Sequence, residues 1–539
     1  MQVEFILLIL SLIFFVSIFA DKIGYKYGVP ALLLFLVVGM FFGSDGISSL
    51  MGTRGIEIDL SSAQALSTLA MCIILFNGGM ETRLSDIKSV LAPGITLATL
   101  GVMITCGITG ILIYYIFGWL QAVTTVSMSM ALLMAATMSS TDSASVFSVL
   151  RTNGIGLKHN LRPLLELESG SNDPMAYVLT TTLIGIVLGT AQAGGESTAA
   201  LPVIQTIVIQ LVMGTVLGLA FGEGLVMLMR RVKLGNEALY PIMVLTACIF
   251  IFATTYYLKG NTYLAVYVGG LVIGNNKFTR KRQTRSFFNG LTWLSQLMMF
   301  LMLGLMVHPS ELLDYRVWLP GMIISLVMVA ISRPVAVYLC MIPFRNYHQR
   351  DKVMLSWVGL KGAVPIIFAI MCKAEGVPMA DMIFNVVFLC TIVSLLVQGT
   401  TLTIVAHKLD LATAQEAEHT LEHFDLDLPE EIQSSAREVE VTEQMIESGN
   451  TPKELKIPPH TLIIMVRRSE DFFVPTGSSE LQAGDQLLVI SDKDAEASYR
   501  HITDEAEEEA LWRAEMRRKA KVRMERVASW LHLRAKQQK

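Results

Sequence analysis

Apolar runs of roughly twenty residues follow one another through the first 407 residues, and no other feature constrains the fold so tightly. A segment that enters a bilayer must satisfy its backbone hydrogen bonds internally, so each run has to be a helix. Allowing about twenty residues per crossing gives about thirteen spans, at 4–20, 29–43, 64–79, 95–118, 124–149, 163–189, 201–228, 238–257, 259–276, 290–307, 318–342, 353–373 and 380–406. With 53% of its 539 residues hydrophobic and 16% charged, the chain is too apolar for a water-soluble protein of its length. The fold class expected is therefore an all-α polytopic membrane protein over residues 1–407, followed by a water-soluble end.

Charge placement orients the spans. Lys22 and Lys26, Arg83 and Lys88, Arg151, Lys158 and Arg162, Arg230, Arg231 and Lys233, Lys277 to Arg285, and Arg345, Arg350 and Lys352 all follow odd-numbered spans. The positive-inside rule then predicts an external N-terminus and a cytoplasmic chain after the thirteenth span. Glu4 and no basic residue precedes the first apolar run, the wrong flank for a cleaved signal peptide, so that run reads as the first span. The six cysteines lie in apolar spans at no paired spacing, which gives neither a disulfide framework nor a metal site. The nine histidines fall in loops, at span ends or in the soluble part, and make poor intramembrane proton carriers.

The sixth span breaks the apolar pattern. Glu166, Glu168, Asn172 and Asp173 fall within eight residues of one another, although a carboxylate near the bilayer centre costs roughly 2.5–3.5 kcal/mol and by default marks an ion path or proton relay. Helix periodicity puts Ser169 and Asp173 on one face and Glu168 and Asn172 on the next, so two polar stripes run side by side. Pro174 has no N–H, which frees the carbonyl of Gly170. A carboxylate, a hydroxyl and a freed carbonyl suit a hard monovalent cation; the alternative is a buried polar cluster that only ties helices together.

Two other spans carry interruptions. Ser139, Ser140, Thr141, Asp142 and Ser143 are five consecutive polar residues in the middle of the fifth, where hydroxyls compete for helix carbonyls, and an unwound turn is expected at Thr141 and Asp142. In the twelfth, Gly359 and Gly362 flank Lys361 just ahead of Pro365, which predicts a second break with Lys361, Gly362 and Pro365 supporting it. These spans run in opposite directions, and broken helices at corresponding places in two halves point to an inverted-repeat transporter. Arg333, mid-span in the eleventh, needs a carboxylate. Glu168 is preferred over Glu166, since a fixed arginine on Asp173 would hold that acid permanently charged. Glu223 reads as an interfacial charge.

Beyond Lys408 the composition changes abruptly. Residues 408–436 read as an acidic, histidine-containing linker leading into a small α+β domain, with alternating strands around 438–442, 461–466 and 486–490 and turn signals at 457–459, 475–477 and 483–485. No Gly-x-Gly-x-x-Gly occurs there, so no dinucleotide fold is expected. Residues 503–539 read as one helix with acids first and bases last, its apolar stripe formed by Met516, Ala520, Met524, Val527 and Leu531. Such a helix lies on the inner leaflet, on a partner, or free in solvent.

Asn172-Asp173 after Glu168-Ser169, the Thr141-Asp142 break, Arg333-Pro334 and the run Gly359 to Val364, taken together and in order, resemble the NhaP-type cation:proton antiporters, relatives of the animal sodium/proton exchangers. The likeness covers the whole membrane part. Residues 415–498 resemble the C-terminal half of domains that regulate potassium conductance (RCK, or TrkA-C), a combination found in the potassium/proton branch of that family. The resemblance implies a homodimer in a bacterial inner membrane, with one bundle moving against a fixed scaffold. Carried over by position, Asp173 holds the monovalent cation or proton, Ser169 and the Thr141 backbone are further ligands, Asp142 supports the broken helix, and Glu168 with Arg333 is a structural ion pair. Relatives with two adjacent aspartates are electrogenic; with Asn172 at the first position, electroneutral 1:1 exchange of potassium, or alternatively sodium, for protons is implied. Relatives often carry arginine in place of Lys361 and proline in place of Ser143.

No enzyme chemistry, cofactor or nucleic-acid partner is expected. The RCK-like domain is expected to bind a small-molecule regulator or to sense ions. A regulated cation channel would want a filter of repeated backbone carbonyls of the Thr-Val-Gly kind, which is missing. An aspartyl protease dyad of Asp142 and Asp173 lacks the Gly-x-Gly-Asp context.

Overall fold

Because lipid offers no hydrogen bonds, apolar chain of this length has to close its backbone bonds within helices, and the described residues of the first part of the protein are mostly helical. The computed structural model describes residues 8, 11–19, 22, 31–43, 45, 58–120, 126–192, 200–414, 436–441, 443–446, 449–455, 461–468 and 471–491. The chain divides into two units, Met1–Gln415 and Glu416–Lys539. Among the described residues, seven helices are long and apolar enough to cross a membrane, and four further apolar helices are 10–17 residues long. The predicted C-terminal helix at 503–539 and the linker at 415–435 lie outside the described residues.

In chain order the first unit contains α1 (Ala31–Phe42), α2 (Leu60–Glu81), α3 (Val102–Leu120), α4 (Met128–Thr137), α5 (Ser143–Thr152), β1 (Ile155–Leu157) and α6 (Leu161–Gln192). It continues with α7 (Ala200–Arg231), α8 (Leu239–Tyr257), α9 (Thr262–Asn275), α10 (Lys281–Met306), α11 (Tyr315–Val327), α12 (Arg333–Cys340), α13 (Gln349–Trp357), α14 (Val364–Ala374), α15 (Ala380–Ser394), α16 (Thr400–Lys408) and β2 (Ala412–Ala414). Local chemistry sets several of the starts. Asp59, Ser127 and Asn261 each accept an N–H from the first turn of α2, α4 and α9, satisfying a donor that a helix start leaves free. Three π-helical turns, Leu97–Gly101 before α3, Met328–Ser332 between α11 and α12, and Leu395–Gly399 between α15 and α16, are additions that hydropathy does not register.

With lipid as the surrounding solvent, helices associate through close packing of small residues. α2 and α9 show this directly. A Cβ on Gly79 would lie 2.9 Å from the Leu271 nitrogen, and one on Gly274 would lie 2.7 Å from the Met80 carbonyl carbon, so both positions need glycine for the backbones to meet. α9 in turn packs against α6, bringing Asn261 onto the Pro174 carbonyl at 2.7 Å.

One small antiparallel ribbon joins distant parts of this unit. β1, between α5 and α6, pairs with β2, which follows the last helix, in the register Ile155↔Ala414 to Leu157↔Ala412. Asp410 turns the chain into β2 with φ of 59°, and its carboxylate lies 3.6 Å from both Lys158 Nζ and Arg350 Nη1. Next to it, Asp351 caps α13 by accepting the His348 N–H and sits 2.9 Å from His159 Nδ1.

The second unit carries a four-stranded antiparallel sheet, β3 (Ala436–Glu440), β4 (Thr461–Arg468), β5 (Asp471–Phe473) and β6 (Gln486–Ser491), in the order β3-β6-β4-β5. Its core is Val441, Leu455, Val466, Leu481, Leu487 and Val489. Three of these strands are the ones that alternation predicts; β5, at three residues, is too short to show a period. Gly484 has φ of +92° and makes the turn expected at 483–485.

Asp485 follows that turn and is buried. It accepts from Arg468 Nε and Nη2 at 2.8 and 2.7 Å and from the Gln482 N–H at 2.8 Å. Burial pushes its carboxyl up, but the Arg468 and Gln482 hydrogen bonds and the Arg468 charge outweigh burial and hold it below the usual carboxylate range. A carboxylate depressed in this way stabilises the fold above its unfolded value of about 3.9, and that contribution is lost as pH falls through the lower folded value. Asp485→Asn should therefore weaken this unit by about 2 kcal/mol at pH 7, with the gap from wild type closing once the pH is taken below the lowered folded value. Denaturant titrations of the full-length protein at the two pH values measure this.

Candidate functional site: the crossing of two broken helices

Two helices stop inside the apolar body of the protein, and each stop has a local cause. After α4, the Thr137 and Ser139 hydroxyls donate to the carbonyls of Met134 and Ala136, both at 2.7 Å, taking acceptors that the next helical turn would use. The chain restarts as α5 when the Asp142 carboxylate accepts the Ser145 N–H at 3.2 Å and the Ser145 hydroxyl at 2.5 Å, an N-cap made by an acid. After α13 the chain runs through Gly359 and Gly362, and α14 restarts with Pro365 in its first turn, where a missing N–H does no harm.

The two breaks cross each other. The Asp142 N–H donates to the Leu360 carbonyl at 2.8 Å, and Lys361 Nζ donates to the Ser140 carbonyl at 2.9 Å. Gly362 is required by the approach, since a Cβ there would lie 2.8 Å from Asp142 Cβ. Backbone groups freed at one break are thus satisfied by the other, as irregular backbone inside a membrane protein must be.

α6 lies against this crossing and presents its polar stripes to it. The Ser140 hydroxyl donates to Asp173 Oδ1. Ser169 Oγ donates to the Thr141 carbonyl at 2.9 Å, and Asn172 Nδ2 donates to Thr141 Oγ1 at 2.5 Å. Asp173 is 8% exposed and Asn172 fully buried. Asn172 Oδ1 is buried with no hydrogen-bond partner, a spare acceptor of the kind that calls for an explanation. Asp173, Ser140 and Asn172 together offer an oxygen set from three side chains. On the next face of α6, Glu168 Oε1 lies 2.5 Å from Arg333 Nη2, both side chains being buried, while Glu166 pairs with Arg162 at 3.0 Å in a half-exposed i,i+4 bridge.

The residues singled out from the sequence therefore come together: Asp173, Asn172, Ser169, Thr141, Asp142, Lys361 and Gly362 all meet at the crossing, Pro365 opens α14, and Glu168 faces Arg333. Glu223 is exposed on α7, away from these contacts. Sequence reasoning assigned no role to Ser140, which reaches Asp173 directly where Ser169 reaches the Thr141 backbone. It also passed over Asn261, Ser394 and Gln398. Ser394 and Gln398 are four apart in a predominantly apolar span, a polar pair that periodicity could have flagged.

Formal charges around the crossing do not cancel. Asp142, Glu168 and Asp173 face Arg333 and Lys361, so with all five ionised one positive charge is lacking. Uncompensated charge is costly in a low-dielectric interior. One proton or one monovalent cation at Asp173 makes the cluster neutral.

A polytopic helical protein with crossed broken helices and a single surplus carboxylate belongs to the class of secondary ion transporters. Residues 8–408 match the family described as "Sodium/hydrogen exchanger, transmembrane", and residues 437–503 match the TrkA-C domain. The chain belongs to the sodium/hydrogen exchanger family, whose members are multi-pass membrane transporters. It is 37% identical over 503 residues to the "K(+)/H(+) antiporter NhaP2" of Shewanella oneidensis, covering 93% of this chain and 83% of the relative. It is 36% identical over 493 residues to the "K(+)/H(+) antiporter NhaP" of Alkalimonas amylolytica, covering 90% and 80%. The solved structure of the sodium proton antiporter MjNhaP1 from Methanocaldococcus jannaschii at pH 8 has the same fold, with a TM-score of 0.63 at 21% identity over 76% of this chain and 99% of that one.

Proposed function

We propose that this protein exchanges a monovalent cation, potassium by preference, for protons across a bacterial inner membrane, one for one and by alternating access. The observation that carries the reading is the single missing positive charge around Asp173. The carboxylate takes either a proton or a cation; the neutral, loaded site crosses and the bare carboxylate does not, because the bilayer interior penalises net charge. Ser140 and Asn172 supply the neutral oxygens, Thr141, Ser169 and Asp142 hold the first break in place, Lys361, Gly362 and Pro365 hold the second, and Glu168 with Arg333 fixes α6. The names of the relatives at 36–37% identity support potassium over sodium. About thirteen crossings arranged as inverted repeats and an external N-terminus, supported by the paired breaks and the loop charges, complete the proposal, with a homodimer implied by the family likeness alone.

The test is cation-induced dequenching of a pH dye in proteoliposomes, comparing potassium, sodium and lithium. Potassium should give the largest response at the lowest concentration, and an imposed membrane potential should leave the rate unchanged. A strong voltage dependence contradicts one-for-one exchange.

The TrkA-C domain is proposed to bind a small ligand and bias transport. The β1–β2 ribbon supports this, because the chain leaving the membrane unit is hydrogen-bonded, through Ile155–Leu157 and Lys158, to the loop that opens α6 and is tied by the Asp410–Arg350 ion pair to the start of α13. Removal of residues 416–539 should leave exchange in place while shifting its dependence on cytoplasmic pH or ions; an unchanged activation profile in the truncated protein rules the bias out.

A further inference from the structure

We propose that Ser394 and Gln398 on the last helical rod of the membrane unit are positioning residues for binding at Asp173. The inference rests on the reading of Asp173 given above and deepens it.

Gln398 lies in the π-helical turn Leu395–Gly399. An extra residue per turn detaches the local backbone from regular pairing, and such turns recur at functional sites. Gln398 Nε2 donates to the Trp357 carbonyl at 2.8 Å, an acceptor left over where α13 ends. Gln398 Oε1 accepts the Ser394 hydroxyl at 2.6 Å, and Ser394 Oγ accepts the Lys361 N–H at 2.9 Å. Trp357 adds a contact of its own, donating from Nε1 to Thr401 Oγ1 at 3.2 Å.

Each donor and acceptor in this relay has one assignment. The amide of Gln398 cannot turn over without setting its NH2 against the Ser394 hydroxyl and its oxygen against a carbonyl. One serine and one glutamine thereby hold the second break at two points, Trp357 at its near end and Lys361 in its middle. All three side chains, Ser394, Gln398 and Lys361, are buried.

The far end of the relay is the cation site. With its backbone held by Ser394, Lys361 extends Nζ to the Ser140 carbonyl, and the Ser140 hydroxyl meets Asp173. The position of a positive charge one residue from the carboxylate therefore depends on a hydroxyl located on a different helix. Were the relay only a means of satisfying freed backbone, its loss would lower the amount of folded protein and leave binding constants alone. As a positioning device, its loss moves the Lys361 ammonium and changes what Asp173 binds.

The experiment uses full-length protein in proteoliposomes, with potassium chloride as the cation and dye dequenching followed from pH 6 to 9. Ser394→Ala and Gln398→Met should each raise the apparent KM for potassium about tenfold and shift the pH midpoint of exchange, with Vmax per folded protein within about twofold of wild type. Ser394→Thr keeps the hydroxyl and should retain the wild-type KM and midpoint. A wild-type KM and midpoint in both Ser394→Ala and Gln398→Met overturns the inference, whatever happens to Vmax, and either variant decides the matter if the other does not fold. Asp173→Asn, run alongside, separates the two levels of the argument: exchange that survives it overturns the reading of Asp173 and this inference with it, whereas a silent Asp173→Asn beside unchanged relay variants overturns the inference alone.

Discussion

Asp173→Asn should abolish exchange while leaving the protein folded. Asparagine is nearly isosteric and still offers an oxygen to the Ser140 hydroxyl, so packing at the crossing is kept. What it removes is the proposed proton-binding carboxylate and, with it, the charge that would balance a cation. Carrying an uncompensated monovalent charge through the bilayer centre costs roughly 2.5–3.5 kcal/mol more, which slows turnover by about a hundredfold or more. Dequenching in proteoliposomes should then match protein-free vesicles. Thermal stability in detergent should equal or exceed that of wild type, because the variant removes a buried charge that lacks its partner. Exchange within tenfold of wild type would be incompatible with Asp173 as the carrier.

Breaking the pair of Glu168 and Arg333 should be the most damaging change to stability. Arg333→Ala leaves the Glu168 carboxylate buried with no counter-charge, and removal of one partner from such a pair costs about 3–5 kcal/mol. It also opens space beside Gly359, where a Cβ would stand 3.2 Å from Arg333 Cγ. The single variant should accumulate poorly and melt well below wild type. Glu168→Gln combined with Arg333→Met removes both charges and should recover most of the lost stability, since replacing a buried pair by neutral groups of similar size is often near neutral. The recovered protein should also exchange, because the pair holds α6 in place and is not itself loaded or unloaded. Equal melting temperatures for the single and double variants would show that the two charges are not coupled.

Polar residues in apolar spans carried most of what could be read in advance. Five consecutive polar residues at 139–143 mark a break because hydroxyls compete with the helix ladder, and Thr137 and Ser139 are found doing so. An arginine in lipid needs an acid, and depth narrows the partner of Arg333 to Glu166 or Glu168; the structure places Glu168 there. Periodicity fails inside an unwound turn, which is why helix geometry places Ser169 on the Asp173 face and says nothing of Ser140, whose direction depends on how the 138–142 stretch crosses the second break. The relay through Ser394 and Gln398 was hidden for a different reason. One serine and one glutamine barely change the hydropathy of a span, and the π-helical turn that aims Gln398 has no composition of its own. β5 escaped notice because three residues define no alternation, and the β1–β2 ribbon because it joins segments some 250 residues apart.

Competition at one carboxylate is the central claim, and the dependence of the apparent KM on pH tests it most directly. Initial rates of potassium-driven exchange in proteoliposomes, measured over a range of potassium concentrations at each pH, give KM and Vmax separately. If a proton and a cation exclude each other at Asp173, the apparent KM should climb by roughly tenfold for each unit of acidification below the titration point, while Vmax at saturating potassium stays constant. A KM that holds steady with pH while Vmax falls would mean that protons act at a group other than the one holding the cation, and would contradict the account.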